Sequence, residues 1–149
     1  MRCIKFNDFD KLKELLSKVE LFNEFSRYDL PKVAELCDNV QFFEPEEVII
    51  HKGEVDESFY ILLAGTARVS KTISSESLFT LEPGCLFGEI SFLSHTERTK
   101  NVVANENVFA LKINRDMLES LEPDIRERIK DYLIQKLVNR IQQIEAASQ

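Results

Sequence analysis

The 149-residue chain has no tryptophan, two histidines, three cysteines and four glycines, and each shortage removes a class of function. His51 and His95 have no carboxylate or cysteine at metal-ligand spacing, so a metal site is not expected and the histidines read as surface or loop residues. Cys3, Cys37 and Cys85 are far apart and odd in number, which argues against a disulfide framework and for small apolar residues in a reduced, cytoplasmic compartment. With tryptophan absent, the eleven phenylalanines read as core filling rather than as a base-stacking surface. No apolar run approaches the ~20 residues that span a bilayer, and Met1 to Asp8 lacks a signal-like apolar core. Membrane insertion and secretion are therefore not expected. A basic excess is also missing: the net charge of −7 speaks against a nucleic-acid partner, which calls for cations to displace phosphate counterions.

What is present suffices for one self-supporting domain, since a chain of this length buries about two-thirds of its unfolded surface. The glycines, Gly53, Gly65, Gly84 and Gly88, all fall in the central third, which divides the chain into helical flanks and a β-rich middle. The expected organisation is a single domain over 1–149, helical at 8–38, a β-barrel at 41–113 and C-terminal helices at 115–147. Leu12, Leu15, Leu16 and Val19 recur at helical spacing behind the cap residues Asp8 and Asp10. Leu30, Val33, Ala34 and Cys37 share one face of a second helix from about Arg27, with Pro31 in its first turn, and Leu21, Phe22 and Phe25 dock the pair on the core.

From Gln41 to Ile113 the pattern changes to short β-prone runs: 48–50, 59–63, 67–69, 78–81, 101–104 and 108–113. Breakers such as His51-Lys52-Gly53-Glu54, Ala64-Gly65-Thr66, Glu82-Pro83-Gly84 and Asn105-Glu106-Asn107 separate them. This density of strands predicts an antiparallel β-barrel or jelly roll rather than a parallel α/β sheet. Lys71 to Ser77 reads as an exposed hairpin loop. After Asn114 or Asp116 as cap, a short helix runs to Leu121, and Pro123 opens a long one. In that helix Ile125, Ile129, Tyr132 and Leu133 form one stripe. Ile134, Leu137, Ile141 and Ile144 fit steps of three and four, a seam that either joins a homodimer or packs within its own domain. Its charges, Arg140 among them, read as a solvated face.

The chemistry concentrates in Phe87-Gly88-Glu89-Ile90-Ser91-Phe92-Leu93-Ser94-His95-Thr96-Glu97-Arg98-Thr99. Gly88 lets backbone approach a ligand closely, Glu89 can accept from a sugar hydroxyl, and Arg98 can grip a phosphate through paired charge-assisted hydrogen bonds. A plain ion pair between Glu89 and Arg98 is the structural alternative. Ser91 or Ser94 beside His95 offers a nucleophile and base in name only, because adjacent residues in a turn lack the geometry and no orienting third group or oxyanion hole is apparent. An enzyme is not expected.

This run, together with Gly53-Glu54-Val55-Asp56-Glu57-Ser58-Phe59-Tyr60-Ile61-Leu62-Leu63-Ala64-Gly65-Thr66-Ala67-Arg68-Val69, resembles the cyclic nucleotide-binding domain family, which includes the kinase A regulatory subunit, nucleotide-regulated channels and the catabolite activator protein. The resemblance covers roughly Leu21 to Ile144. It implies an eight-stranded antiparallel β-barrel of jelly-roll type with N-terminal helices and two C-terminal helices. It also implies a cyclic AMP or cyclic GMP ligand, cyclic AMP favoured, and no cofactor. Glu89 corresponds to the acceptor of the ribose 2′-hydroxyl, with Gly88 and Ile90 beside it, Arg98 to the phosphate arginine, and the Ser91 and Thr99 backbone N–H groups to the rest of the phosphate cradle. Phe79 and Leu86, with Leu78, are apolar contacts to the base or ribose, and Tyr132 is a lid residue. Ligand binding is expected to draw the C-terminal helix toward the pocket and so to signal to another protein, because the chain leaves no room for a helix-turn-helix, kinase or channel segment. Lys100 and His95 depart from the family pattern: Lys100 points outward harmlessly or inward into the pocket, and His95 stands where glycine is frequent. The alternatives are a ligand-independent interaction or dimerisation module of the same fold, and a binder of a cyclic dinucleotide.

Overall fold

The computed structural model describes residues 2–4, 14–17, 19–23, 39–72 and 76–147. The expected helix at 27–37, the caps Asp8 and Asp10, and the middle of the 71–77 loop lie outside the described residues. Residues 14–16 are helical. The elements that follow are β1 (Arg2–Ile4), α1 (Glu20–Asn23), β2 (Val40–Phe43), β3 (Val48–Ile50), β4 (Ser58–Ala64), β5 (Ala67–Ser70), β6 (Phe79–Leu81), β7 (Leu86–Phe87), α2 (Glu89–Ser94), β8 (Asn101–Ala104), β9 (Val108–Asn114), α3 (Arg115–Ser120) and α4 (Pro123–Ala147).

Two sheets pack face to face, one in the order β1-β2-β9-β4-β7 and the other β3-β8-β5-β6. The pairings are antiparallel, as in the jelly roll that the short strands predict. Strands β2 to β9 are the eight of the barrel, and β1 adds a ninth at the edge of β2. β1, β2 and β7 are not among the predicted runs: at three, four and two residues they carry too little alternation to stand out.

The central strand β4 explains why its sequence is apolar almost throughout. Phe59, Ile61 and Leu63 face the helices and join Val19, Phe22, Leu118, Ile125, Ile129 and Leu133 in one core, while Tyr60 and Leu62 face the other sheet and join Ile50, Val69, Leu81, Phe87 and Val102. Period-two alternation therefore sorts one strand between two buried layers. Gly65 closes the turn after β4 at φ 83°, and a Cβ there would collide with the Asn107 carbonyl, so this turn and the β8–β9 turn pack backbone on backbone.

Asn114 caps α3, its side-chain oxygen accepting from the Met117 N–H at 2.8 Å. Pro123 begins α4, a position where its missing N–H costs no helical bond. Ile125, Ile129 and Leu133 are buried one turn apart, each burial stabilising by about 1.5–3 kcal/mol. Past Leu133 the helix changes character: Ile134, Val138, Ile141 and Ile144 are all exposed. The second stripe thus runs through Val138 beside a half-buried Leu137, and its exposed members find no cover among the described residues.

Candidate ligand-binding site

The two sequence motifs meet through backbone first. Gly53 donates to the Arg98 carbonyl at 2.8 Å and Arg98 donates back to the Glu54 carbonyl at 2.8 Å, which bridges the loop after β3 to the strand entering β8. This exchange sets the Arg98 Cα, and its side chain then runs inward to 3 % exposure. There Nη1 donates to the Gly88 carbonyl at 2.6 Å and Nη2 to the Ser58 carbonyl at 2.7 Å. Gly88, at φ 78°, precedes α2; a Cβ on it would stand 2.9 Å from Arg98 Nη1 and 3.2 Å from Ile50 Cδ1. Glycine is required here by conformation and by the closeness of the guanidinium. The five guanidinium donors exceed these backbone acceptors, so capacity remains for an anion.

Beneath Arg98 lies Asp56, 4.0 Å from Nη2, which accepts from the Ser58 hydroxyl at 2.9 Å and pairs with Lys112 at 3.2 Å. Burial alone would raise the Asp56 pKa, but the Ser58 hydrogen bond and the charges of Lys112 and Arg98 outweigh it and hold the carboxyl below its usual range. Arg98 is thus neutralised in part from below, and Lys112 lies 5.8 Å from the Tyr60 ring centroid.

Glu89 is the first residue of α2 and is 2 % exposed. Its carboxylate is paired with Arg140 of α4, whose Nη2 also donates to the Leu86 carbonyl at 3.4 Å. The simple ion-pair alternative between Glu89 and Arg98 is not what forms: each charge has other partners. Arg140, read from the sequence as part of a solvated helix face, instead turns inward; no spacing rule links positions 89 and 140, so the sequence carried no signal for this contact.

Gly88, Glu89, Ile90, Ser91, Arg98, Thr99, Leu86 and Phe79 line one cavity of about 120 Å³. Ile50, Val69, Leu81, Phe87, Lys100, Val102 and Arg140 complete its wall. Lys100 therefore borders the cavity, half-buried, rather than standing clear of it. Leu78 precedes β6 and is absent from this wall; both it and Phe79 are exposed. Tyr132 lines a larger adjoining cavity of about 520 Å³ with Phe79, Leu86, Lys136 and Arg140, and its hydroxyl donates to the Gly84 carbonyl at 3.2 Å. Burial pushes the Tyr132 pKa up to about 12, with Glu20 and Cys85 adding to the rise.

His95 caps the C-terminal end of α2 at φ 57°, a left-handed conformation that explains why glycine suits this position. Its ring bonds Glu57 at 2.8 Å, outside the cavity, while the Ser94 hydroxyl bonds the Ile90 carbonyl at 2.6 Å. The serine and histidine are spent on different partners, so the nucleophile and base arrangement is not assembled. Among the described residues no cluster of three or more His, Cys, Asp or Glu could hold a metal ion. No helix among them is long and apolar enough to cross a membrane.

The chain is 28% identical over 109 residues to the cAMP-dependent protein kinase regulatory subunit of Hypocrea atroviridis, covering 73% of this chain and 23% of that protein. It is 29% identical over 139 residues to cGMP-dependent protein kinase, isozyme 1, of Drosophila melanogaster, covering 89% of this chain and 18% of the relative. It therefore spans under a quarter of the length of either. A solved structure of PKAR CBD2 bound to Sp-2Cl-cAMPS aligns with a TM-score of 0.68 at 22% identity, over 93% of this chain and 90% of the other, a likeness of fold. A family model for the cyclic nucleotide-binding domain matches residues 40–122, more than half the chain and the whole span from β2 to α3. By that match, and with the glycine, glutamate and arginine gathered on one cavity wall, this chain belongs to the cyclic nucleotide-binding domain family.

Proposed function

We propose that the chain is a non-catalytic, cytoplasmic sensor module that binds a cyclic nucleotide, cyclic AMP in preference to cyclic GMP, and signals through α4 to a partner protein. The observation that carries this reading is the burial of Glu89 and Arg98 on one cavity wall with Gly88 between them. A cyclic phosphodiester bears one negative charge, which a single guanidinium neutralises without the magnesium and several cations that a triphosphate requires. Arg98 would take the phosphate, with the Ser91 and Thr99 backbone N–H groups beside it, and Glu89 the ribose hydroxyl. Ile90, Phe79 and Leu86 offer apolar surface to the sugar and base. Relatives named for dependence on cAMP and on cGMP both support the ligand class. Thr99 lines the cavity, and its hydroxyl would suit a phosphate oxygen or the amino group of guanine. The exposed stripe Ile134, Val138, Ile141 and Ile144 is where a second copy or an effector would grip.

Calorimetry with cyclic AMP, cyclic GMP and a cyclic dinucleotide tests the reading. Heat and thermal stabilisation that grow with free cyclic AMP are expected, as mass action requires. Silence with all three at millimolar ligand would leave a ligand-independent interaction module of the same fold. The inner cavity gives that second reading its specific support: at about 120 Å³ it is smaller than the roughly 300 Å³ at which small-molecule sites commonly begin.

A further inference from the structure

Three lysines come together at one end of the β3-β8-β5 sheet, beside the cavity. Ile50, Val102 and Val69 are cross-strand partners in that sheet and line the inner cavity of about 120 Å³. Two residues further toward this end of the sheet, just past the strand ends, alternation returns to Lys52, Lys100 and Lys71. Asn101 ties the three backbones to one another. It follows Lys100, is 6 % exposed, accepts from the Lys52 N–H through Oδ1 at 2.9 Å and donates through Nδ2 to the Lys71 carbonyl at 3.3 Å. Ser70, buried opposite Asn101, fixes the next step of the chain by donating to the Thr72 carbonyl at 2.7 Å.

We propose that Lys52, Lys71 and Lys100 form an anion subsite beside Arg98 that takes a second phosphate group, carried by the molecule in the cavity or by a free diphosphate. Lys100 is half-buried on the cavity wall with Thr99 and Arg98, while Lys52 and Lys71 are exposed at its rim. Among the described residues none of the three has an ion pair, and Glu54, the acidic residue nearest to Lys52 in the chain, faces His51 at 2.5 Å. In a chain of net charge −7 such a row of unpaired cations stands out. Like charges opposite one another on a sheet destabilise it, and an anion lying across them relieves that cost. The row spans two strand spacings, about 10 Å, which is room for a diphosphate or for a second phosphodiester next to one at Arg98. Lysine ammonium groups suit this role as point charges on flexible stems, whereas Arg98 is held rigidly by the Gly88 and Ser58 carbonyls. The lysine subsite itself does not depend on the cyclic nucleotide reading; only its use by the molecule in the cavity rests on the reading of Arg98 as a phosphate contact.

The test titrates the full chain, without magnesium and at about 0.15 M salt to screen distant charges, with inorganic pyrophosphate, cyclic AMP and cyclic di-AMP. Lys52→Gln/Lys71→Gln keeps the fold, because only the backbones of these residues serve Asn101. It is expected to weaken pyrophosphate binding about tenfold, the scale of two exposed charge pairs, and to leave cyclic AMP within about twofold of wild type. Cyclic di-AMP bound tighter than cyclic AMP, with that preference lost in the double variant, assigns the second phosphate to the molecule in the cavity. Pyrophosphate and cyclic AMP bound together, each at undiminished affinity, assigns it to a separate anion. Affinities for pyrophosphate and cyclic di-AMP that the double variant leaves unchanged, or binding of neither by wild type, would overturn the subsite whether or not cyclic AMP binds. An equal loss in Arg126→Gln/Lys130→Gln, which removes the same charge from α4, would reveal a bulk charge effect and overturn it too. Lysine-dependent pyrophosphate binding without any cyclic nucleotide binding would keep the subsite and overturn the reading of the cavity instead.

Discussion

Glu89 and Arg98 are both charged, both almost wholly buried and both on one cavity wall, yet they are held in opposite ways. Arg98 is fixed by the barrel itself: its backbone is bridged to Gly53 and Glu54, and its guanidinium is bonded to two carbonyls and underlain by Asp56. Glu89 is held by a side chain 51 positions away on the part of α4 that the core does not reach. The Arg98 end of the cavity is therefore part of the fold, and the Glu89 end depends on where a helix lies. A binding site built this way keeps one contact constant and makes the other responsive.

The sharpest way to break the contrast is Arg98→Ala. It removes the partner of the Gly88 and Ser58 carbonyls and leaves Asp56 less compensated, so a loss of about 3–5 kcal/mol in urea unfolding is expected, the range for breaking a buried charge arrangement. Cyclic nucleotide binding by whatever folds should weaken by at least about 1.5–3 kcal/mol in calorimetry. Equal affinity of variant and wild type would place the phosphate elsewhere. Gly88→Ala comes next. Its left-handed backbone costs about 1–2 kcal/mol for a residue with a Cβ, and the Arg98 guanidinium must also give way. Affinity should fall with stability, because the strain is delivered to the Arg98 guanidinium.

The same contrast decides what was legible in the sequence. Arg98, Gly88 and their loop lie within a dozen positions, and the apolar runs of β4 and β9 announce strands by length, so the barrel and the clustering of Gly88 with Arg98 are legible directly. The helices 115–120 and 123–147 were announced by Asn114 and Pro123, which act locally. Arg140 was misread because its partner is set by how α4 crosses the barrel, a tertiary relation with no periodic signature. Leu78 shows the reverse: its apolarity suggests a ligand contact, yet it precedes β6 and does not line the cavity with Phe79 and Leu81. Asp56 and Ser58 lie inside the 53–69 motif, but their place under Arg98 is set by the tertiary fold.

Glu89→Gln sharpens the comparison from the responsive side. The amide keeps the shape and can still accept from Arg140, and the pair is open to solvent at the arginine, so stability should change by less than about 1 kcal/mol. A loss near that of Arg98→Ala would erase the distinction between the two ends. Acid probes the fixed end in the opposite way. Asp56 and Glu57 both have folded pKa values below their ordinary ones, Glu57 chiefly through its hydrogen bond to His95. The stability they contribute is present above the usual carboxylate range and is lost as pH falls through their lowered values. Thermal melts between about pH 5 and 2 should show this decline, and Asp56→Asn should flatten it.

The smallest expected effect belongs to Tyr132, which marks the boundary between the packed and unpacked parts of α4. Its hydroxyl makes one hydrogen bond, to the Gly84 carbonyl at 3.2 Å, so Tyr132→Phe should cost about 0.5–1 kcal/mol at neutral pH. Alkali gives a second reading of the same residue. Burial raises the folded pKa from 10.0 to about 12, so the neutral phenol contributes stability in full below pH 10 and loses it as pH rises toward 12. The phenylalanine variant has no such group and should lose the part of the alkaline slope that Tyr132 supplies. If the variant instead behaves like wild type across that range while Arg140→Ala loosens the end of α4, the polar hold on the helix lies at Glu89 and Tyr132 only fills space.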